Sequence, residues 1–237
     1  MKRFFICAIV CASLASLNAQ THRMQARTAH STQSSSVVLA NYDDSVSYAL
    51  GLSIGKYYQQ QGIDNLNISL LSKGIKTAMN NDSALFTDEQ IQQIMMSSAQ
   101  RAAAQRAAKN KQEGATFLAE NKNKPDVVTL PDGVQYTVLT KGSGQIPTDT
   151  NNVKVNYAGS LLDGTEFDNS YKRGQPLDLN VTGVIKGWTE ILKLMPVGSK
   201  WRVWIPSDMA YGDRGAGNAI PPGATLQFDI ELLGINK

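Results

Sequence analysis

The chain changes near its middle from a helical hydrophobic pattern to an alternating one. From about Asp43, apolar residues recur every three or four positions in three segments, a spacing that predicts three amphipathic helices. Gly62 is a reasonable stop for the first helix, and Thr87 with Gln90 has the form of a capping box at the start of the third. The apolar positions are Val46, Leu50, Ile54 and Tyr58, then Leu70, Leu71, Ile75, Ala78 and Met79, then Ile91, Ile94 and Met95.

The third helix is predicted to continue through a long stretch of Ala, Gln, Arg and Lys, which are good helix formers. Few apolar residues other than alanine occur between positions 99 and 115, so this stretch is expected to be a solvated connector. Gly114 is expected to weaken it, Phe117 and Leu118 to dock at its far end, and Pro125 to close it.

After Pro125 the apolar positions alternate with polar ones, a pattern typical of antiparallel strands with one buried face. A short helix is predicted near residues 187–194, and Asp163-Gly164 marks a hairpin turn. The predicted fold class is α+β, with helices first and an antiparallel sheet second. The inward strand positions are Val153, Val155 and Tyr157, then Trp201, Val203 and Ile205, then Leu226, Phe228, Ile230 and Leu232.

The first residues form a predicted signal peptide. Lys2 and Arg3 give a positive start before the apolar stretch 4–17, and the small residue Ala19 precedes Gln20 at a plausible cleavage point. A membrane anchor is the alternative, but the stretch falls short of the ~20 apolar residues that a spanning helix needs. We therefore expect residues 1–19 to be removed and the chain to be exported, to the periplasm or to the outer surface.

The cysteines and histidines exclude several kinds of chemistry. Cys7 and Cys11 lie in the predicted signal peptide, and a lipid anchor on either is disfavoured because the preceding residue is bulky. The mature chain would then have no thiol for disulfides, catalysis or metal binding. His22 and His30 lie in segment 20–40, a predicted flexible tail, which leaves the folded part without histidine for acid/base catalysis or zinc. No metal and no cofactor are expected.

The charge balance argues against a nucleic-acid partner. The chain has 23 basic and 20 acidic residues, and loss of Lys2 and Arg3 would leave 21 against 20. Nucleic-acid binding would require a basic stripe, and the sequence contains no basic block.

The N-terminal helices form a unit that is expected to be only marginally stable alone. They span about 50 residues, without disulfide or metal, yet carry apolar stripes. Pairing with a second copy would bury these stripes; the alternative is packing on the C-terminal half of a monomer, against which the long polar connector argues. Residues 41–86 are therefore predicted to be a helical dimerisation domain and residues 87–124 a connecting helix.

Three stretches in the second half carry recognisable motifs: VNYAGSLLDGTEFDNS, VIKGWTEILKLMPVGSKWRVWIP and MAYGDRGAGNAIPPGATLQFDIELL. In this order and spacing they resemble FKBP-type peptidyl-prolyl cis/trans isomerases over residues 125–237. SYALGLSIGK, QQQGID and FLAENKNKP further resemble the macrophage-infectivity-potentiator subgroup, whose members are exported dimers. The resemblance implies that residues 125–237 form an FKBP-type isomerase domain, an antiparallel sheet wrapped around a short helix.

The same resemblance implies a shallow apolar cleft that binds proline-containing unfolded or exported polypeptides and macrolide inhibitors. Its floor would be Trp188, and the Tyr211 hydroxyl and the Ile185 N–H would donate to substrate carbonyls. The implied catalytic residues are Asp168, Tyr211, Ile185 and Phe167. The implied substrate-binding residues are Tyr157, Leu177, Val184, Trp188, Ile220 and Phe228. Leu177 and Ala219 depart from the larger side chains common in the family, which puts macrolide affinity and the preferred residue before proline in doubt.

Without the resemblance, these residues have simpler interpretations. Tyr157, Trp188 and Phe228 would be core residues, and Asp168 a turn residue. Two functions stay open: an isomerase acting on exported proteins, and a holdase chaperone whose cleft grips chains with little turnover. Rotation about an X-Pro bond breaks no covalent bond, so an isomerase would need no nucleophile, metal or cofactor.

Overall fold

The computed structural model describes residues 37–63 and 65–236. The predicted signal peptide, residues 20–36 of the predicted tail, both cysteines and both histidines lie outside the described residues. By its internal contacts the chain divides into two units, Met1–Ser45 and Val46–Lys237. In the described part of the first unit, the Asn41 side chain accepts a hydrogen bond from the Asp44 N–H (2.9 Å). This bond satisfies one of the free amides at the helix start.

Three helices occupy the first half of the described chain. They are α1, Tyr42–Gln60; α2, Ile68–Met79; and α3, Asp88–Asn121. The predicted stop after α1 is confirmed, because Gly62 adopts a φ of 73° that glycine tolerates without strain. The predicted capping box of α3 is also confirmed: Thr87 and Gln90 exchange hydrogen bonds of 2.9 Å and 3.3 Å.

The apolar stripes of these helices remain accessible in the single chain. No residue of α1 or α2 is buried, and Met79 is 78% exposed. Exposed apolar side chains surround α1 rather than following one face, and a helix that is apolar all round is normally buried by neighbours. Those exposed on α1 are Tyr42, Val46, Tyr48, Leu50, Leu52 and Tyr57.

The second half forms a seven-stranded sheet in which all neighbouring strands are antiparallel, as predicted. The strand order is β1-β2-β6-β7-β3-β4, and β5 pairs with β3 beside β4. The strands are β1, Val128–Thr129; β2, Gln135–Thr140; β3, Asn152–Leu161; β4, Glu166–Asn169; β5, Leu177–Asn180; β6, Lys200–Ile205; and β7, Leu226–Asn236. The one-turn helix α4, Ser170–Arg173, follows β4, and α5, Lys186–Leu192, follows β5.

The core lies between one face of this sheet and α5. Ile191 and Leu192 of α5 are fully buried, and the inward residues predicted on β3, β6 and β7 are buried beside them. Gly187 allows α5 to approach β6, because a Cβ there would overlap the Ile205 side chain. The predicted α+β fold class is confirmed, with the short helix displaced by one residue at its start.

The expectation of a solvated connector is wrong for part of α3, between Ala102 and Asn121. Ala102, Ala107, Gly114 and Asn121 are buried. Gly114 does not interrupt the helix; a Cβ there would overlap the Thr225 side chain, so glycine permits the helix to lie close to the start of β7. Alanine side chains are too small to mark such a contact as an apolar stripe.

Aromatic and amide side chains fix the end of α3 on the outer face of the sheet. The rings of Phe117 and Trp204 lie 6.3 Å apart, and Trp204 is only 7% exposed although it faces away from the core. Asn121 donates to the Gln135 side-chain oxygen (2.9 Å), and Gln135 donates to the Leu118 carbonyl (2.9 Å). The boundaries 41–86, 87–124 and 125–237 stay predictions, but the last two segments are in extensive contact.

Candidate active site

Every predicted site residue lines one cleft of about 610 Å³. Its walls come from β3, β4, β5 and β7, from the start of α5, and from the segment between β6 and β7. The lining residues are Tyr157, Phe167, Asp168, Leu177, Leu179, Gly183, Val184, Ile185, Trp188, Tyr211, Ala216, Ala219, Ile220 and Phe228. The structure thus brings together residues spread over more than 70 positions of sequence.

The floor and walls of the cleft are aromatic rings packed edge to face. The Trp188 ring lies 5.2 Å from Tyr157 and 5.3 Å from Phe228, with interplanar angles of 87° and 88°. Phe167 packs on Phe228 at 5.5 Å and 83°. Edge-to-face geometry is favourable for aromatic pairs and holds each ring in place. The result is a rigid apolar surface suited to a small ring such as that of proline.

A charged cluster forms one rim of the cleft. The Asp168 carboxylate accepts hydrogen bonds from the Tyr157 hydroxyl and from the Arg173 guanidinium. Arg173 also donates to the Tyr157 hydroxyl (3.0 Å), and its guanidinium lies 5.3 Å from the centre of the Tyr157 ring. Asp168 therefore orients the aromatic wall through Tyr157 as well as presenting charge at the rim.

Helix α4 holds Arg173 at this rim. The Asn169 side chain caps α4 by accepting hydrogen bonds from the backbone amides of Tyr171 and Lys172 (2.9 and 3.2 Å). The Tyr171 hydroxyl donates a hydrogen bond to the Glu231 carboxylate on β7 (2.8 Å). Burial and this hydrogen bond raise the pKa of Tyr171 above its ordinary value, so the hydroxyl keeps its proton. Hydrogen bonds from Lys172 and Asn169 lower the pKa of Glu166.

Three hydrogen-bond donors named among the cleft residues have no partner in the part of the chain that the structure describes. The Tyr211 hydroxyl is half-exposed and makes no hydrogen bond within residues 37–63 and 65–236. The Ile185 N–H precedes α5, where the backbone is extended (φ −59°, ψ 147°), and likewise donates to no other described group. The Trp188 indole N–H is buried without an acceptor in the same part of the chain. A cleft with free donors at its edge can bind carbonyl oxygens.

Both halves of the chain match known protein families. Residues 144–233 match the family described as FKBP-type peptidyl-prolyl cis-trans isomerase, and residues 43–138 match the domain amino terminal to it. An "Outer membrane protein MIP" of Legionella longbeachae is 41% identical over 201 residues, which are 82% of this chain and 86% of that protein. The chain belongs to the FKBP-type peptidyl-prolyl cis/trans isomerase family.

Two further relatives share both halves of this isomerase. The "FKBP-type 22 kDa peptidyl-prolyl cis-trans isomerase" of Escherichia coli K12 is 42% identical over 192 residues, 80% of this chain and 93% of that protein. The crystal structure of FkpA from Escherichia coli superposes with a TM-score of 0.63 at 37% identity, covering 84% of this chain and 99% of that chain. The predicted family and enzyme class are therefore confirmed, and so is the order of helical region and sheet domain.

Sequence reasoning missed several residues in and around the cleft. Leu179 lies two positions after Leu177 on β5, so strand alternation could have identified it. Gly159 lies beneath the rings of Phe167 and Phe228, where a Cβ would collide with both. No periodic signal marks Arg173, because α4 is a single turn. Gly183 and Ala216 complete the lining.

Among the described residues, no helix combines the length and apolarity needed to cross a membrane. In the same part of the chain, no group of three His, Cys, Asp or Glu side chains is placed to hold a metal ion.

Proposed function

We propose that the cleft catalyses X-Pro isomerisation by binding the twisted amide better than either planar form, with the proline ring on the floor of Trp188. The observation that carries this proposal is the combination of an aromatic floor with free donors from Tyr211 and Ile185 at its edge. The proposed substrates are proline-containing segments of unfolded or exported polypeptides.

The reaction requires little chemistry beyond selective binding. Rotation about the X-Pro bond meets a barrier of ~18–20 kcal/mol because the planar amide must lose resonance. An apolar cleft disfavours the charge-separated planar amide relative to the twisted one, whose carbonyl and nitrogen are less polarised. Only interactions stronger in the twisted state accelerate the reaction, and each ~1.4 kcal/mol of such preference gives about tenfold in rate.

The two free donors would hold the chain on either side of the rotating bond. The Tyr211 hydroxyl and the Ile185 N–H can each bind a substrate carbonyl, which fixes one end while the other turns. Asp168 would act at the rim by orienting Tyr157 and Arg173, both already bonded to its carboxylate. Phe167 and Phe228 would form the aromatic side of the proline pocket, with Val184 and Ile220 as apolar contacts.

Replacing Tyr211 by phenylalanine should lower kcat/KM for a proline-containing peptide about 3- to 10-fold, because one neutral hydrogen bond contributes roughly 0.5–1.5 kcal/mol. A protease-free isomerisation assay on residues 20–237 measures this change. Tyr57→Phe on α1 is the matched control, since Tyr57 is also exposed but lies outside the cleft. Wild-type activity for Tyr211→Phe would remove Tyr211 from the mechanism.

The exposed apolar stripes of α1, α2 and the start of α3 support a homodimer through the N-terminal helices. Exposed apolar patches of this extent mark interaction sites in soluble proteins. We propose that the partner is a second copy of this chain, because a helical module of this size cannot bury its own apolar surface. The isomerase domains would then be carried on two α3 arms.

We also propose that the chain is exported and acts in the periplasm or at the outer surface. The relative from Legionella longbeachae is called an outer membrane protein, and residues 1–19 have the form of a signal peptide. Expression in a Gram-negative host should yield a mature chain that begins at Gln20. Mass spectrometry of the intact product checks the mass, and retention of residues 1–19 would contradict cleavage.

A holdase chaperone is the second candidate. Any apolar helix surface that stays exposed in the dimer could bind unfolded polypeptides without catalysing proline isomerisation. Suppression of aggregation by a variant that has lost isomerase activity would favour this candidate. If wild type isomerises proline no faster than buffer, the cleft is at most a binding site.

A further inference from the structure

The segment between β6 and β7 carries Tyr211 and Ile220 into the cleft. Two single-turn 3₁₀ helices, Ser207–Met209 and Gly212–Arg214, flank Tyr211 on either side. The Gly223 N–H donates to the Gly212 carbonyl (2.9 Å) and closes the segment into a loop. Because this hydrogen bond closes the loop, a shift of the loop ends would change the positions of Tyr211 and Ile220 together.

Helix α3 contacts the ends of this loop through one face. The Lys111 ammonium pairs with Asp208 at 3.1 Å and with Asp213 at 2.8 Å. The adjacent Asn110 side chain donates to the Pro222 carbonyl (2.7 Å). Ala107, one helical turn earlier, lies against Gly223, where a Cβ would overlap the Ala107 carbonyl oxygen. The spacing i, i+3, i+4 places these three helix residues on one face.

Lys111 joins the two turns that flank Tyr211. Asp208 belongs to the turn before Tyr211 and Asp213 to the turn after it, so one ammonium bridges two carboxylates that would otherwise repel each other. The hydrogen bonds to Asp213 and Asp208 raise the pKa of Lys111, which keeps it charged. Exposed ion pairs add little to stability, so the effect to expect is on the position of Tyr211 rather than on unfolding.

The C-terminal end of α3 is fixed to the sheet. Asn121 and Leu118 are hydrogen-bonded with Gln135, and Phe117 packs against Trp204. A helix held at its middle and at its C-terminal end can transmit a fixed position to the loop between β6 and β7. Connection of two domains alone would not require the contacts at residues 107–111.

We propose that α3 braces the cleft and that Lys111 is a positioning residue that sets the orientation of Tyr211. This inference rests on the proposed role of Tyr211 as a donor to substrate. It makes the connecting helix part of the isomerase site, although none of its residues lines the cleft.

In the full-length mature chain, Lys111→Met should lower kcat/KM about 3- to 5-fold while the melting temperature stays within a few degrees of wild type. Lys111→Arg keeps a cation within reach of both carboxylates and should restore most of the activity. Lys109→Met is the matched control, because Lys109 lies on the same helix and pairs only with Glu113 (3.9 Å) among the described residues. Equal kcat/KM values for Lys111→Met and Lys109→Met would contradict the proposal that α3 braces the cleft through Lys111.

A double-mutant cycle shows whether Lys111 acts through Tyr211. In the Tyr211→Phe background, Lys111→Met should cause little further loss, because coupled residues are not additive. Fully additive losses would overturn the proposal. Wild-type activity for Tyr211→Phe alone would refute the donor role, whereas a Tyr211→Phe defect with unchanged Lys111→Met activity would refute only the brace.

A spectroscopic measurement tests the same contact without turnover. In protein labelled with 3-fluorotyrosine, the Tyr211 resonance is identified by its loss in Tyr211→Phe. Lys111→Met should shift or broaden this ¹⁹F signal, and Lys109→Met should leave it in place. An unchanged Tyr211 signal in Lys111→Met would contradict a positioning role.

Discussion

Asp168→Ala should lower kcat/KM for proline isomerisation about 10- to 100-fold while the chain stays folded. The Asp168 carboxylate accepts hydrogen bonds from Tyr157 and Arg173, and bonds to charged groups contribute about 1.5–3 kcal/mol each. Without the carboxylate, the Tyr157 wall and the Arg173 guanidinium lose their common partner. The isomerisation assay gives the loss of kcat/KM, and circular dichroism verifies the fold.

Two companion variants separate the possible causes of such a loss. Asp168→Asn keeps the shape and removes the charge, so a loss equal to that of Asp168→Ala would assign the effect to charge. Asp178→Ala removes a carboxylate on β5 that pairs with Lys154 and Asn236 outside the cleft, and it should keep wild-type activity. An Asp168→Ala variant as active as Asp178→Ala would remove the rim cluster from the mechanism.

The sheet was predictable because strand alternation is a local property of the sequence. Val153, Val155 and Tyr157 had to share a face wherever β3 lay, and burial of that face requires a partner such as α5. The cleft was predictable only from the order of the family motifs. Taken singly, Tyr157 and Trp188 are typical core residues, and both are in fact almost fully buried.

The contacts of α3 could not be predicted, for a physical reason. The alanines of the connector carry too little apolar surface to produce a stripe, and Asn110 meets Pro222 across 112 positions of sequence. Polar residues on a helix usually indicate solvent, but Lys111 and Asn110 instead contact a loop that carries four cleft residues. The contribution of Arg173 to the rim of the cleft could not be predicted for a related reason, because a one-turn helix such as α4 has no hydrophobic periodicity.

The two departures from the family pattern both lie in the cleft wall. Leu177 is 39% exposed on β5, and Ala219 precedes Ile220 in the loop that α3 contacts. Smaller side chains at these positions leave more room beside the aromatic floor. We propose that these two positions influence macrolide affinity and the preference for the residue before proline.

Introducing one charge into the apolar stripe of α2 should convert the proposed dimer into a monomer. Ile75 is 44% exposed in the single chain and lies on the same helix face as Leu71 and Met79. Burying an isoleucine side chain contributes about 1.5–3 kcal/mol, and a two-fold interface contains every substituted position twice. Ile75→Glu should therefore raise the dimer dissociation constant about 10²- to 10⁴-fold.

Sedimentation velocity over a range of concentrations measures this shift. Lys73→Glu is the matched control, because it introduces the same side chain on the opposite face of α2 and changes the net charge by a larger amount. It should remain dimeric, while both variants keep wild-type kcat/KM for a short peptide, whose binding needs only one cleft. If Ile75→Glu sediments as a dimer at the same concentrations as Lys73→Glu, the α2 stripe does not form the interface. Its exposed apolar surface would then favour client binding, as the holdase candidate requires.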